Sequence, residues 1–139
     1  MFKIKRTVGI IVAAVIVLSM GAAFALNLRH AQAASLNDVV INEIMYHAAS
    51  DLTSDDYLEL YNKTGSTIQL DGWCFTAGIT LCFGPSHSIP SHGYVVVSPS
   101  ISATQGTYAG VTPIAEYTGN LSNSGETVTL SDNATPTRN

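Results

Sequence analysis

Residues 38–133 consist of short runs rich in β-branched and aromatic residues, separated by clusters of Gly, Pro, Asn and Ser. No stretch keeps apolar residues at helical spacing over several turns, and the runs recur at the spacing typical of all-β domains. The candidate strands are residues 39–46, 57–62, 67–70, 73–76, 80–83, 94–98 and 126–130, with a weaker one near 113–117. The pattern predicts an all-β domain of about seven to eight short strands, as in a β-sandwich.

The N-terminal segment has the composition of an export signal. Lys3, Lys5 and Arg6 precede an uncharged apolar run at residues 8–26, and AQA at residues 31–33 matches a signal-peptidase site. A chain of 139 residues has room for one further domain. We predict a signal peptide at 1–33, a linker at 34–37 and one domain at 38–139. The apolar run is also long enough to span a bilayer as an uncleaved anchor helix. Either alternative predicts a secreted or membrane-anchored extracytoplasmic domain.

The charge balance of the exported part argues against nucleic acid as a partner. Cleavage would leave two basic residues, Lys63 and Arg138, and ten acidic ones, hence a formal charge of −8. Nucleic-acid binding depends on Lys and Arg neutralising phosphates, so direct binding to DNA or RNA is not expected. Anionic lipid is disfavoured for the same reason. We expect membrane contact only through an uncleaved N-terminal segment.

Both cysteines of the chain lie in the segment WCFTAGITLCF, residues 73–83. Because side chains alternate between the faces of a strand, a hairpin with Cys74 opposite Cys82 also places Trp73 opposite Phe83. The large apolar side chains then share one face and the cysteines the other, with Gly78 in the turn. This register predicts a disulfide, which an oxidising compartment permits. The alternatives are two free buried thiols, or metal or redox chemistry, which lacks further ligands and a Cys-x-x-Cys motif.

Four blocks resemble, in order, the signatures of the lamin-tail domain family: VVINEIMY, DDYLELYNKTGSTIQLDGW, IPSHGYVVVS and LSNSGETVTLSD. The resemblance implies an immunoglobulin-like β-sandwich, known at the C-terminus of nuclear lamins and as a module of exported bacterial and archaeal proteins. With its export signal, this chain is similar to the second group. The family motif falls on Asn42, Glu43, Glu59, Asn62, Gly72, Trp73, Gly125 and Glu126.

None of these motif residues is catalytic in the family, and we expect most of them to be structural. Trp73 should fill the core, Asn62 should begin the polar turn NKTG, and Gly125 should permit the bend before the late strand. Glu43 and Glu59 lie inside apolar strands, where a buried lone carboxylate is costly, so each should be at the surface or hydrogen-bonded. A glycosidase pair is the alternative, but no sugar-binding cleft is predicted.

Two other groups of residues resemble metal ligands. Asp51, Asp55 and Asp56 share one loop and have the oxygen ligands that Ca²⁺ prefers, although without EF-hand spacing. The alternative is a solvated acidic turn, which we favour. His87 and His92 lack a visible third ligand, so we interpret them as turn histidines. We therefore expect no metal and no cofactor.

No Ser-His-Asp order, Gly-x-Ser-x-Gly elbow or phosphate-binding glycine loop occurs in residues 34–139. The sequence thus predicts a non-catalytic exported module that binds a protein or glycan at the cell surface or anchors its parent protein. The segment 127–139 stops where a sandwich of this family would start its last strand, so we expect a domain truncated at that strand. The alternative function is the targeting portion of a longer secreted hydrolase, for example a nuclease, with its catalytic domain beyond Asn139.

Overall fold

The structure is a computed structural model that describes residues 37–132. The predicted signal peptide or anchor, most of the linker and the predicted truncation at the C-terminal strand lie outside the described residues. Residues 37–132 belong to one compact unit. None of the helices in this range is long and apolar enough to cross a membrane.

The described residues are mostly β, which confirms the predicted class. The strands are β1 Val39–Met45, β2 Tyr57–Asn62, β3 Ile68–Gln69, β4 Cys74–Ala77, β5 Leu81–Cys82, β6 Ser88–Ile89, β7 Tyr94–Ser98, β8 Ala115–Glu116 and β9 Thr129–Ser131. The helical elements are the 3₁₀ turn Thr53–Asp55 and helix α1, Ile101–Thr107. The strands form three open sheets, in the orders β1-β2-β7-β8, β3-β6 and β5-β4-β9.

The four-stranded sheet contains the longest strands. β2 lies between β1 and β7 and pairs antiparallel with both, and β8 adds to β7 in parallel. A β-bulge between Ile41 and Glu43 inserts Asn42 into β1 without a partner on β2. A bulge of this kind puts one extra residue on a strand and re-aims its side chain. The bulge lies directly before Glu43, one of the glutamates of the family motif.

One apolar core joins the sheets. Leu58, Leu60, Val97 and Ile89 are fully buried, and Trp73 is 2% exposed. The leucines of β2 alternate with half-buried residues, which is the period that the sequence predicts for a strand with one face on the core. Full burial of a leucine side chain contributes about 1.5–3 kcal/mol, so the inner faces of the sheets stabilise the domain.

The hairpin β4–β5 has the predicted register. Cys74 lies opposite Cys82 and Phe75 opposite Leu81, and the two cysteines form a disulfide. Gly78 has φ +85°, and a Cβ at this residue would lie 2.9 Å from Cγ2 of Val128, so the turn requires glycine. The disulfide prediction is confirmed.

The sequence analysis missed three elements, β6, the 3₁₀ turn Thr53–Asp55 and α1, and misplaced a fourth. β6 has two residues and α1 seven, too few for a period to be visible in the sequence. Helix α1 begins at the N-cap Ser100, whose Oγ accepts a hydrogen bond from Ala103 N. The late strand begins at Thr129 and not at residue 126, because the residues before it form a turn at Gly125, φ +91°.

Candidate binding face

The outer surface of the four-stranded sheet presents aromatic and acidic side chains. The burial pattern of β2 places Leu58 and Leu60 on the core side, and Tyr57, Glu59 and Tyr61 on the opposite side. The last of these tyrosines lies opposite Tyr94 of β7. We call this surface the tyrosine face; it comprises Asn42, Glu43, Tyr57, Glu59, Tyr61, Tyr94 and Tyr108.

The tyrosines of this face form two ring pairs. Tyr61 and Tyr94 are stacked, with ring centroids 4.6 Å apart and an interplanar angle of 26°. Tyr57 meets Tyr108, which ends helix α1, edge to face at 5.3 Å. Tyr94 is 53% exposed. Its strand pairs with β8 only through Val97 and Ser98, so among the described residues no sheet neighbour lies beside Tyr94 on the side away from Tyr61.

Glu43 and Glu59 lie directly opposite each other on adjacent strands. Tyr57 Oη donates a hydrogen bond to Glu43 Oε1 over 2.7 Å, and Asn42 Nδ2 donates one to Glu59 Oε1, also over 2.7 Å. Each carboxylate thus has one oxygen held by a neutral neighbour and a second oxygen that accepts no side-chain hydrogen bond within residues 37–132. Like charges directly opposite on a sheet destabilise it, so the arrangement has a cost that the fold tolerates.

The phenol of Tyr57 is held in its protonated form. Burial raises the pKa of Tyr57 well above its usual value, and the hydrogen bond to Glu43 and the charge of that carboxylate raise it further. Burial also raises the pKa of Tyr108, with additional contributions from the charges of Asp55, Asp56 and Glu43. Both phenols therefore remain neutral hydrogen-bond donors at physiological pH.

The negative charge of the face has no basic partner in the described part of the chain. Lys63 is the only Lys or Arg within residues 37–132. The ion pair found there joins His47 Nε2 to Asp51 Oδ1 over 3.0 Å, and it involves neither glutamate of the face. The outer surface of the sheet is consequently both aromatic and negatively charged.

A groove opens at the edge of the same sheet, between β1 and residues 121–128. Its volume is about 480 Å³, and its apolar lining includes Ile44 and Tyr46, which are 42% and 51% exposed. A smaller hollow of about 130 Å³ adjoins it and is lined partly by Asp51 and Asp56. The groove is an opening at a sheet edge, whereas the tyrosine face is a built arrangement of rings and hydrogen bonds.

The three aspartates of the acidic loop differ in burial and in partners. Asp51 is exposed and pairs with His47, whereas Asp55 and Asp56 are only 3% and 2% exposed. Asp55 Oδ2 accepts a hydrogen bond from Ser50 Oγ over 2.6 Å. No group of three or more His, Cys, Asp and Glu side chains in the described range is placed to hold a metal ion. The interpretation as a solvated turn is wrong for Asp55 and Asp56, because the 3₁₀ turn packs them inward.

Asn62 has a larger structural role than the sequence suggests. It is fully buried at the end of β2, and its Oδ1 accepts hydrogen bonds from N and Oγ1 of Thr64. Its Nδ2 donates to the carbonyl oxygens of Ser66, Ile89 and Pro90. One amide thus joins the NKTG turn to the strand β6 region, which is distant in sequence.

The remaining motif residues shape turns and core. Trp73 lies in the core, and Gly72, with φ +77°, forms the turn before it. Glu126 Oε1 accepts a hydrogen bond from Ser122 N and closes the turn that contains Gly125.

His87 and His92, the two histidines considered as metal ligands, lie in loops. His87 Nε2 is 3.1 Å from the carbonyl oxygen of Ile114, and His92 is exposed with φ +49°.

The sequence analysis identified Glu43 and Glu59 but missed the tyrosines around them. The signal was available in the period of two in YLELYN and YVVVS, which puts Tyr57, Glu59 and Tyr61 on one face and Tyr94 on the matching face of its strand. Pairing β2 with β7 was needed to bring these side chains together, and alternation alone does not specify which strands pair.

Fold and surface together define a small, mostly β domain with a disulfide on one outer face and an aromatic, acidic patch on another. The model of the lamin tail domain family matches residues 32–137, more than half of the chain, and the chain belongs to this immunoglobulin-like family. This confirms the resemblance found in the four sequence blocks. No curated protein and no solved structure matches the chain significantly.

Proposed function

We propose that this chain is a non-catalytic, exported binding module that attaches to a partner outside the cytoplasm through its tyrosine face. The observation that carries the proposal is the stacked pair Tyr61 and Tyr94, of which Tyr94 is 53% exposed, on the same face as the hydrogen-bonded carboxylates Glu43 and Glu59. Aromatic side chains with a polar tip contribute disproportionately to binding surfaces. Membership of the lamin tail domain family supports a binding or anchoring role.

The disulfide supports the exported part of the proposal. Cys74–Cys82 is on the outer side of the β4–β5 hairpin, and such bonds persist mainly in oxidising compartments. To test it, the full chain is expressed with residues 1–33 in place, and the location of the chain is measured by cell fractionation. We expect it outside the cytoplasm with both cysteines unreactive to maleimide. A chain retained in the cytoplasm with two reactive thiols would contradict export.

The position of the two glutamates on the open outer face also supports a non-catalytic role. Glu43 and Glu59 are cross-strand neighbours on an open sheet surface, and each already accepts a hydrogen bond from a neighbouring side chain. A glycosidase pair instead flanks a bound sugar in a cleft. Attachment by this domain is the same role whether it acts alone or within a longer secreted protein such as a hydrolase.

The binding role is tested with the purified exported chain and cell-envelope preparations of its host. The fraction bound is compared for the wild type, the double variant Tyr61→Ala/Tyr94→Ala and the control Tyr46→Ala, which removes an exposed tyrosine outside the face. We expect about tenfold weaker binding for the double variant and little change for the control. Equal binding by the double variant and the wild type would contradict a role for this face.

A further inference from the structure

We infer that the tyrosine face binds a cationic polypeptide segment, with Lys or Arg side chains placed over the Glu43–Glu59 pair and against Tyr94. The inference rests on the proposed function and names the chemistry of the partner. It starts from charge complementarity, because two adjacent carboxylates on this face have no basic partner within residues 37–132.

The carboxylates are held in a form suited to a cation. Asn42 and Tyr57 each occupy one oxygen, and they fix the orientation of Glu59 and Glu43 respectively. The second oxygen of each carboxylate remains able to accept a charge-assisted hydrogen bond from an ammonium or guanidinium group. A cation placed between the two would also offset their mutual repulsion, which the free domain bears. Binding should therefore raise the stability of the sheet.

The aromatic rings extend the same preference across the sheet. Tyr94 has one flat side stacked on Tyr61 and is 53% exposed, and a cation over a tyrosine face is stabilised by about 0.5–1 kcal/mol at exposed sites. Tyr94 is on the third strand from the edge, roughly 10 Å from β1 at about 4.8 Å per strand. One ammonium group cannot reach both places. Two basic side chains of one extended segment can, because residues two apart point to the same face about 7 Å from each other, and the long stems of Lys and Arg cover the remaining distance.

A neutral glycan fits these observations less well. The free flat side of Tyr94 is open to a sugar ring as well as to a cation, so the discrimination between the two ligands comes from the carboxylates. Covering Glu43 and Glu59 with an uncharged ligand would remove two carboxylates from water without a compensating charge. An anionic ligand would meet direct repulsion.

The probe is a fluorescein-labelled oligo-arginine peptide, compared with an oligo-glutamine peptide of equal length, spermidine, and neutral cello- and chito-oligosaccharides. Binding to the purified exported chain is measured by fluorescence anisotropy at two salt concentrations, with unlabelled ligands as competitors. The variants are Glu43→Gln/Glu59→Gln, which keeps the acceptors for Tyr57 and Asn42, and Tyr94→Phe and Tyr94→Ala. The control Asp51→Asn removes an exposed negative charge elsewhere, at a φ of +58° that asparagine tolerates.

We expect the arginine peptide to bind more weakly at high salt and about tenfold more weakly to the double glutamine variant. Tyr94→Ala should weaken binding about threefold, and Tyr94→Phe should bind like the wild type because it keeps the ring. Asp51→Asn should have little effect. Spermidine and the sugars should compete poorly. Equal weakening by Asp51→Asn and by the double glutamine variant would show non-specific charge attraction and overturn the inference, as would tighter binding of a sugar or equal competition by spermidine.

The two proposals fail in distinguishable ways. If the double glutamine variant binds the arginine peptide normally while Tyr61→Ala/Tyr94→Ala loses envelope binding, the face is a binding site for another ligand class and only the inference falls. If Tyr61→Ala/Tyr94→Ala binds the envelope as the wild type does, the proposed function of the tyrosine face is contradicted, and the inference that rests on it is contradicted as well. Far-UV circular dichroism of each variant establishes that it is folded, and the glutamine variants are close in shape to the native side chains.

Discussion

The two outer faces of the domain differ in how their sheets are held. The four-stranded sheet has strands of seven, six and five residues in β1, β2 and β7, and its outer face includes tyrosines, glutamates and an asparagine. In the three-stranded sheet, strands β5, β4 and β9 have two, four and three residues. Its outer face has the disulfide and a hydroxyl pair, Thr76 and Ser131, with oxygens 3.2 Å apart.

The contrast suggests a division of roles. Long strands make enough hydrogen bonds and core contacts to tolerate a like-charge pair on the outside, which costs up to about 1 kcal/mol. Short strands make few, and a covalent bond between β4 and β5 compensates by restricting the unfolded chain. A sheet that is stable without its outer face can therefore present that face to a partner. The disulfide sheet has small side chains outside and no comparable surface.

The largest expected effect concerns Asn62, at the end of β2 in the four-stranded sheet, which has no disulfide. Asn62→Ala removes one buried amide and leaves the carbonyls of Ser66, Ile89 and Pro90 and the Thr64 N–H without this partner. Buried groups left unpaired cost about 1–3 kcal/mol each before relaxation, so we expect the free energy of unfolding to fall by about 3 kcal/mol. Urea unfolding measures it. The control Asn42→Ala loses one exposed hydrogen bond and should cost under about 1 kcal/mol. Similar values for the two would refute the special role of Asn62.

A smaller loss is expected from the covalently held sheet. Cys74→Ser/Cys82→Ser opens a loop with a sequence separation of 8 and should lower the free energy of unfolding by about 2 kcal/mol. Binding at the tyrosine face should not change, because the disulfide is on a different sheet. Urea unfolding and the envelope-binding assay are run on the same sample. Loss of binding in a folded double variant would break the division between a stabilising face and a binding face.

Particular residues show what the sequence could predict. The strands 57–62 and 94–98 were predicted with the bounds observed, because alternation and flanking turn residues agree there. The register of Cys74 and Cys82 followed from the same period. The burial of Asn62, Asp55 and Asp56 was not predictable, because these residue types are usually exposed in turns and only tertiary contacts decide otherwise. The tyrosine face depended on strand pairing across residues distant in sequence, which a local pattern does not contain.

The smallest expected effect is a pH dependence of the free energy of unfolding that comes from a buried carboxyl group beside the four-stranded sheet. Asp56 directly precedes β2 of the four-stranded sheet and is 2% exposed, and burial raises its pKa above the usual 3.8, although the Ala48 N–H and the charge of His47 lower it somewhat. As pH rises above 3.8, the unfolded chain releases this proton before the folded chain does, so the contribution of Asp56 to the free energy of unfolding decreases through that window and stays lower above it.

The variant Asp56→Asn has no proton to release at this residue, and it keeps an acceptor for the Ala48 N–H. Its stability relative to the wild type should therefore increase as pH rises from about 3 to about 7, as measured by urea unfolding at each pH. Asp51→Asn removes the same charge from an exposed side chain and separates burial from net charge. If the stability of Asp56→Asn relative to the wild type instead decreases with rising pH, the folded protein stabilises the anionic form of Asp56. The four-stranded sheet would then have no buried carboxyl group that destabilises it at neutral pH.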